Sequence, residues 1–233
     1  MPDRRWWHLA EPRHGSLPLL LLLLTFVTGV IDAVSLLALG RIFVANMTGN
    51  VVVTGFALAG VPEFSLLTSF VALGGFLVGA AAGGFLVDRL TTRGPLLRAA
   101  VGVEWVLLAC CLTLVVLSPP TTDSGPTVAA VALAALAMGV QNAVARRIAV
   151  PDLNTSVISM SMTGLAADHR HSTRVAAVRR LCAVTTLLLG ATVGAVIVRT
   201  AGPAAALGLI LALLAAVGLG AHLLLRRGPD WEE

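Results

Sequence analysis

Six long apolar runs dominate the sequence and restrict what the chain can fold into. They cover residues 17–39, 66–87, 96–117, 127–145, 181–198 and 203–225. A membrane-spanning helix needs about 20 apolar residues to cross a hydrocarbon core of about 30 Å. Each run approaches or exceeds that length, so the sequence predicts an all-α polytopic membrane protein with six spanning helices.

The content and placement of charged residues support this prediction. Only 12% of the residues are charged and 57% are hydrophobic, whereas a soluble domain has about 25% charged residues. The sixteen positive residues are all arginines at the ends of apolar runs. That placement is typical of membrane topology, so we expect the chain's partner to be the lipid bilayer and expect no binding to nucleic acid.

The arginines also predict how the chain is oriented, because cytoplasmic loops of membrane proteins are enriched in Lys and Arg. With six spans and a cytoplasmic N-terminus, fourteen arginines lie inside and only Arg41 and Arg199 lie outside. If the two shorter apolar segments, 43–60 and 153–167, also crossed the membrane, the split would be nine to seven. We therefore expect both termini in the cytoplasm.

The two short segments are rich in polar residues and would reach only about 27 and 22 Å as continuous helices. We expect both to enter the membrane and return, the first from outside and the second from inside. The first carries a polar stripe at Asn46, Asn50 and Thr54, and the second carries Thr155, Ser159 and Thr163.

Other matches also relate the two halves of the chain. Residues 29–34 resemble residues 139–144 at an offset of 110, and Gly79 and Gly83 correspond to Gly190 and Gly194 at an offset of 111. With three spans in each half, the second copy must be upside down, which is an architecture common among transporters. We predict an inverted 3+3 repeat, with the Gly75, Gly79 and Gly83 stripe serving close helix packing. The predicted parts are a cytoplasmic tail 1–16, repeat 17–117, external loop 118–126, repeat 127–225 and cytoplasmic tail 226–233.

Five short motifs stand out along the chain: Gly-Val-Ile-Asp-Ala-Val-Ser at 29–35, Ala-Asn-Met-Thr-Gly-Asn within 39–50, Met-Gly-Val-Gln-Asn-Ala-Val at 138–144, Pro-Asp at 151–152 and Met-Thr-Gly-Leu at 162–165. Together they resemble the YoaK-type family of bacterial inner-membrane proteins, a domain of unknown function. The resemblance extends over about residues 17–225. It implies a multi-pass protein of the bacterial inner (plasma) membrane, and it implies no substrate.

Asp32 is the first candidate functional residue, because an acidic group inside a span is a functional candidate by default. It could instead make a helix–helix hydrogen bond or pair with Arg41. Glu104 is a secondary candidate, which we expect to extend toward Arg98 or the lipid–water interface. Gln141 and Asn142 could either join helices by hydrogen bonds or line a central site, since the repeat places Asn142 opposite Asp32.

The two polar stripes allow two hypotheses about function. They could line the path of a small polar solute, in a transporter or a channel, or they could bond to each other in an assembly or lipid-associated protein that transports nothing. We identify no catalytic residues, metal site or cofactor motif, and Cys110, Cys111 and Cys182 lie within apolar runs without metal-binding spacing. We therefore expect no enzyme activity; the sequence leaves a homo-oligomer open.

Overall fold

A computed structural model describes residues 17–121, 123–148, 162–163 and 174–226, and the regular structure in these residues is helical. In chain order the helices are α1 (Leu17–Ala38), α2 (Met47–Leu58), α3 (Leu66–Arg89), α4 (Arg93–Leu117), α5 (Gly125–Ile148), α6 (Arg174–Ala201) and α7 (Pro203–Arg226).

The prediction of six spans is confirmed in the described residues, because every helix except α2 is long and apolar enough to cross a membrane. Helix α2 has twelve residues and is about 18 Å long, too short for a core of about 30 Å. Segment 43–60 is therefore a loop followed by a helix that is too short to cross by itself. Segment 153–167 lies outside the described residues except for 162–163.

Helices α1 and α5 form the centre of the bundle and are its two most buried spans. Helices α3 and α6 are largely exposed and present large apolar side chains, among them Leu77 and Phe85 on α3 and Leu188 and Val196 on α6. So much exposed apolar surface is rare on a soluble monomer. It suits a helix whose outer face contacts lipid.

Each central helix packs most extensively against one exposed helix, α1 against α6 and α5 against α3. At the first contact, Gly29 of α1 and Gly190 of α6 lie backbone to backbone. A Cβ atom at Gly29 would lie 2.7 Å from the nitrogen of Ala191, and one at Gly190 would lie 3.0 Å from the carbonyl carbon of Phe26. Neither position can accept a side chain unless the helices separate.

The second contact has the same construction. A Cβ atom at Gly79 of α3 would lie 2.8 Å from the carbonyl carbon of Leu136, and one at Gly139 of α5 would lie 2.7 Å from the nitrogen of Ala80. Lipid provides no hydrophobic force between helices, so spanning helices associate partly through close van der Waals packing of small residues. The close-packing interpretation of the α3 glycine stripe is thereby confirmed.

We predict that Gly79→Ala destabilises the protein, because the new methyl group forces α3 away from the α5 backbone. Overpacking of this kind costs about 1–3 kcal/mol. The matched control is Gly84→Ala on the same helix, where an added Cβ has no neighbour within 4 Å. Thermal unfolding of purified protein in detergent checks the prediction, and equal melting temperatures for the two variants would contradict it.

Candidate functional site

A polar contact joins three spanning helices inside the bundle. The side-chain amide of Gln141 on α5 lies 2.9 Å from the hydroxyl of Thr28 on α1. The other terminal atom of the amide lies 2.6 Å from Oε1 and 3.3 Å from Oε2 of Glu104 on α4. All three side chains are buried. We call Thr28, Glu104 and Gln141 the central polar cluster.

The cluster lies far from both ends of its helices. Thr28 is the twelfth of 22 residues in α1, and Glu104 is the twelfth of 25 in α4. Glu104 is therefore about 16 Å from the first residue of its helix, near the middle of a hydrocarbon core of about 30 Å. Polar groups at this depth are costly unless they are paired, and they commonly mark functional sites in membrane proteins.

Glu104 is not placed as the sequence led us to expect. Its side chain is only 1% exposed and contacts Gln141, whereas Arg98 is exposed at the surface. The reason is that Glu104 lies where α4 packs against α5, so neighbouring helices enclose its side chain and it does not extend toward the interface as we expected.

Asp32 holds the chain that follows α1. Its Oδ1 atom accepts hydrogen bonds from the backbone nitrogens of Val44, at 3.2 Å, and Ala45, at 3.0 Å. Asp32 lies six residues before the end of α1, about 9 Å along the helix axis. The loop therefore folds back along α1, and the backbone of Gly40 and Arg41 turns at positive φ of 105° and 59°. The expected alternative, a pair with Arg41, is absent from the described ion pairs.

Asn50 fixes the same loop from the other side. Its Oδ1 atom accepts from the backbone nitrogen of Phe43 at 2.9 Å, and its Nδ2 atom donates to the carbonyl oxygen of Phe43. The Phe43 ring lies where a Cβ atom of Gly49 would be. Asn46 caps α2 by accepting from the Gly49 nitrogen, and the Thr54 hydroxyl donates to the Asn50 carbonyl.

These contacts show which backbone groups of the loop the polar side chains satisfy. Non-helical backbone at membrane depth must have its hydrogen bonds satisfied by protein or water. The side chains of Asp32 and Asn50 provide partners for the loop backbone at residues 43–45. The geometry supports a structural role for both residues, but the contacts differ from those that the sequence suggested: Asp32 bonds the loop backbone and not Arg41 or another spanning helix, and Asn50 bonds Phe43 of its own segment.

The remaining candidates are less informative. The Nδ2 atom of Asn142 donates to the carbonyl of Met138 on its own helix. Thr163 is exposed, whereas Thr155 and Ser159 lie outside the described residues. The described residues therefore neither bring the two polar stripes together nor separate them.

Thr28 was missed by the sequence analysis. Threonine is common in apolar helices, where its hydroxyl bonds the carbonyl four residues back, as Thr28 does to Leu24. The available signal was its spacing, because Thr28 precedes Asp32 by four residues and shares its helix face. Among the described residues, no group of three His, Cys, Asp or Glu is placed to hold a metal ion.

Comparison with known proteins agrees with this membrane architecture. Residues 20–220 match the model of a family described as "Protein of unknown function (DUF1275)". The chain belongs to this family. It is 28% identical over 149 residues to "UPF0700 transmembrane protein YoaK" of Bacillus subtilis (strain 168), a match that covers 64% of this chain and 65% of that relative. No solved structure matches the chain.

For this DUF1275 chain we predict that Asp32→Leu and Asn50→Leu each loosen the loop at residues 43–45. Each change leaves buried backbone groups without partners, at about 1–3 kcal/mol per group. Val44 has no exposed surface. A cysteine at position 44, in a protein without its native cysteines, should therefore react slowly with a thiol reagent. It should react faster in Asp32→Leu and in Asn50→Leu.

Asp32→Asn is the matched control, because an amide oxygen can still accept from the Val44 and Ala45 nitrogens. Its labelling rate should stay that of the parent protein. A cysteine at position 44 that stays equally protected in Asp32→Leu would contradict the assigned role of Asp32.

Proposed function

We propose that this protein moves a small polar or ionic solute through the centre of its helix bundle, as a transporter or channel of the bacterial inner membrane. The observation that carries the proposal is the central polar cluster, which buries a carboxyl, an amide and a hydroxyl near the middle of three spans. Amide and hydroxyl groups can replace the hydration shell of a solute without binding it too tightly.

The geometry of α1 supports a polar row that is longer than the cluster. Thr28 and Asp32 are four residues apart on one face of the helix, with a rise between them of about 6 Å. The row of polar side chains therefore runs from Glu104 through Gln141 and Thr28 to Asp32, which bonds the loop before α2. It includes helices from both halves of the chain.

We also propose the inverted repeat, with both termini cytoplasmic and with segments 43–60 and 153–167 re-entering the membrane. The contact between Gly29 and Gly190 corresponds, at offsets of 110 and 111, to the contact between Gly139 and Gly79. Exchanging the halves thus turns the α1–α6 contact into the α5–α3 contact. That is the relation expected for a two-fold axis, and an odd number of spans per half places the axis in the membrane plane.

A second function rests on a different observation. Asp32 and Asn50 bond the loop backbone, and Gln141 bonds Thr28. These side chains already have hydrogen-bond partners within the protein, which favours a membrane protein that transports nothing. In such a protein the central polar cluster joins helices and fixes their register.

Uptake of a panel of small polar and ionic solutes into liposomes containing the purified protein tests the two functions. We expect one solute class to enter at a rate above that of protein-free liposomes, and we expect Gln141→Leu to slow its entry. A hydrogen bond is worth about 1–1.5 kcal/mol, so the rate should fall roughly tenfold.

Thr113→Val on α4 is the control, because Thr113 is exposed and its hydroxyl bonds only its own helix at Ala109. This variant should transport like the parent protein. If Gln141→Leu lowers thermal stability but leaves uptake unchanged, the packing function is supported and the transport proposal fails.

A further inference from the structure

Glu104 poses a problem of charge balance inside the membrane. A buried carboxylate costs several kcal/mol unless a positive charge accompanies it. The described titratable residues on its own helix, on the helices packed around it and on α1 include Asp32, Asp88, Arg89, Arg93, Arg98, Arg146, Arg147 and His222. None of these groups makes an ion pair or hydrogen bond with Glu104, so the part of the chain that the structure describes provides no counter-charge for it.

The distance to Gln141 limits what that counter-charge can be. The nearest amide atom is 2.6 Å from Glu104 Oε1, which is a direct hydrogen bond. A metal ion cannot lie on the line between these two atoms, since even small cations bind oxygen at about 2.0–2.1 Å and need about 4 Å between ligands on opposite sides. A proton fits on that line.

We propose that Glu104 is a proton-binding site. When the proton binds or leaves, the side-chain amide of Gln141 rotates by about 180°, so that its oxygen and nitrogen exchange positions. Both orientations of the amide fit the same positions of its neighbours. They differ in which end of the amide faces the carboxyl group. Each orientation satisfies a different charge state of Glu104.

In the protonated state the hydrogen bonds run from α4 to α1. The Glu104 hydroxyl donates to Gln141 Oε1, and Gln141 Nε2 donates to the Thr28 hydroxyl at 2.9 Å. The Thr28 hydroxyl donates to the carbonyl of Leu24, also at 2.9 Å. The two hydroxyl hydrogens and one of the two Gln141 amide hydrogens then have acceptors, and the site carries no charge.

In the deprotonated state the direction reverses. Gln141 Nε2 donates to the Glu104 carboxylate, and Gln141 Oε1 accepts from the Thr28 hydroxyl at 2.9 Å. The Leu24 carbonyl gives up the threonine bond, and the released proton passes to water. One proton is exchanged, the O–H bond of Glu104 is the only covalent bond broken, and the hydrogen bonds that link three helices reverse direction around one amide.

The inference deepens the proposed function, because a group that binds one proton beside a solute path can couple the two. Proton binding itself does not require transport. It is therefore tested on purified protein in lipid without any solute, so that its failure and a failure of the uptake experiment are separate results.

Infrared spectroscopy of the carboxylic acid C=O stretch provides the test. We expect an acid band at neutral pH that shifts in D₂O, disappears in Glu104→Gln and is lost from the parent protein as the pH is raised. In Gln141→Leu the Glu104 hydroxyl loses its acceptor, so the band should move to higher frequency. Glu63→Gln, in the exposed loop before α3, is the control that should leave the band in place.

If Glu104→Gln does not fold, Glu104→Asp retains a carboxyl group and should shift the band. A spectrum at neutral pH with no acid band that depends on position 104 would overturn the proposal. Stabilisation by Na⁺ that is lost in Glu104→Gln, without an acid band, would also overturn it by placing a metal ion in the site. A band that Gln141→Leu leaves unchanged would overturn the role of the amide.

Discussion

The approach of helix backbones at four glycines positions the rest of the described bundle. Gly29 lies against Gly190, and Gly139 lies against Gly79, at distances that leave no room for a Cβ atom. Because lipid is as apolar as the helices, close packing must supply much of their attraction. These contacts hold α1 and α5 in the centre, and only there can Thr28 and Gln141 meet. The polar interior is thus a consequence of where small residues occur.

The buried polar residues differ in what their hydrogen bonds accomplish. Asp32 and Asn50 are bonded to the backbone of the non-helical loop that follows α1. Glu104 and Gln141 support no loop. They join α4, α5 and α1 through side chains alone, and a carboxyl without a cationic partner has no evident structural advantage over an apolar residue. This contrast makes the central polar cluster, and not Asp32, the better candidate for function.

The sequence predicted the spans well because the length of an apolar run is set directly by the thickness of the bilayer. It also predicted the close-packing glycines, since a stripe of small residues at helical spacing has few other uses. The cluster was predicted only in part. Gln141 and Glu104 were identified, but Glu104 was expected to extend toward the interface because the sequence does not show which residues of α4 face α5. Thr28 was missed because its spacing from Asp32 was the available signal, and a threonine in an apolar helix most often bonds only its own backbone, as Thr28 also does to Leu24.

The most direct test of the account is whether Glu104 and Gln141 interact with each other. A double-mutant cycle with Glu104→Leu, Gln141→Leu and the combined variant measures this from the free energy of unfolding in detergent. Residues in direct contact show coupling of about 0.5–3 kcal/mol, and each single change here leaves a buried polar partner unsatisfied. We predict that the combined variant is more stable than the sum of the single effects by at least about 1 kcal/mol. Single effects that add to within about 0.5 kcal/mol would show that the two side chains do not form a unit, and would contradict the account.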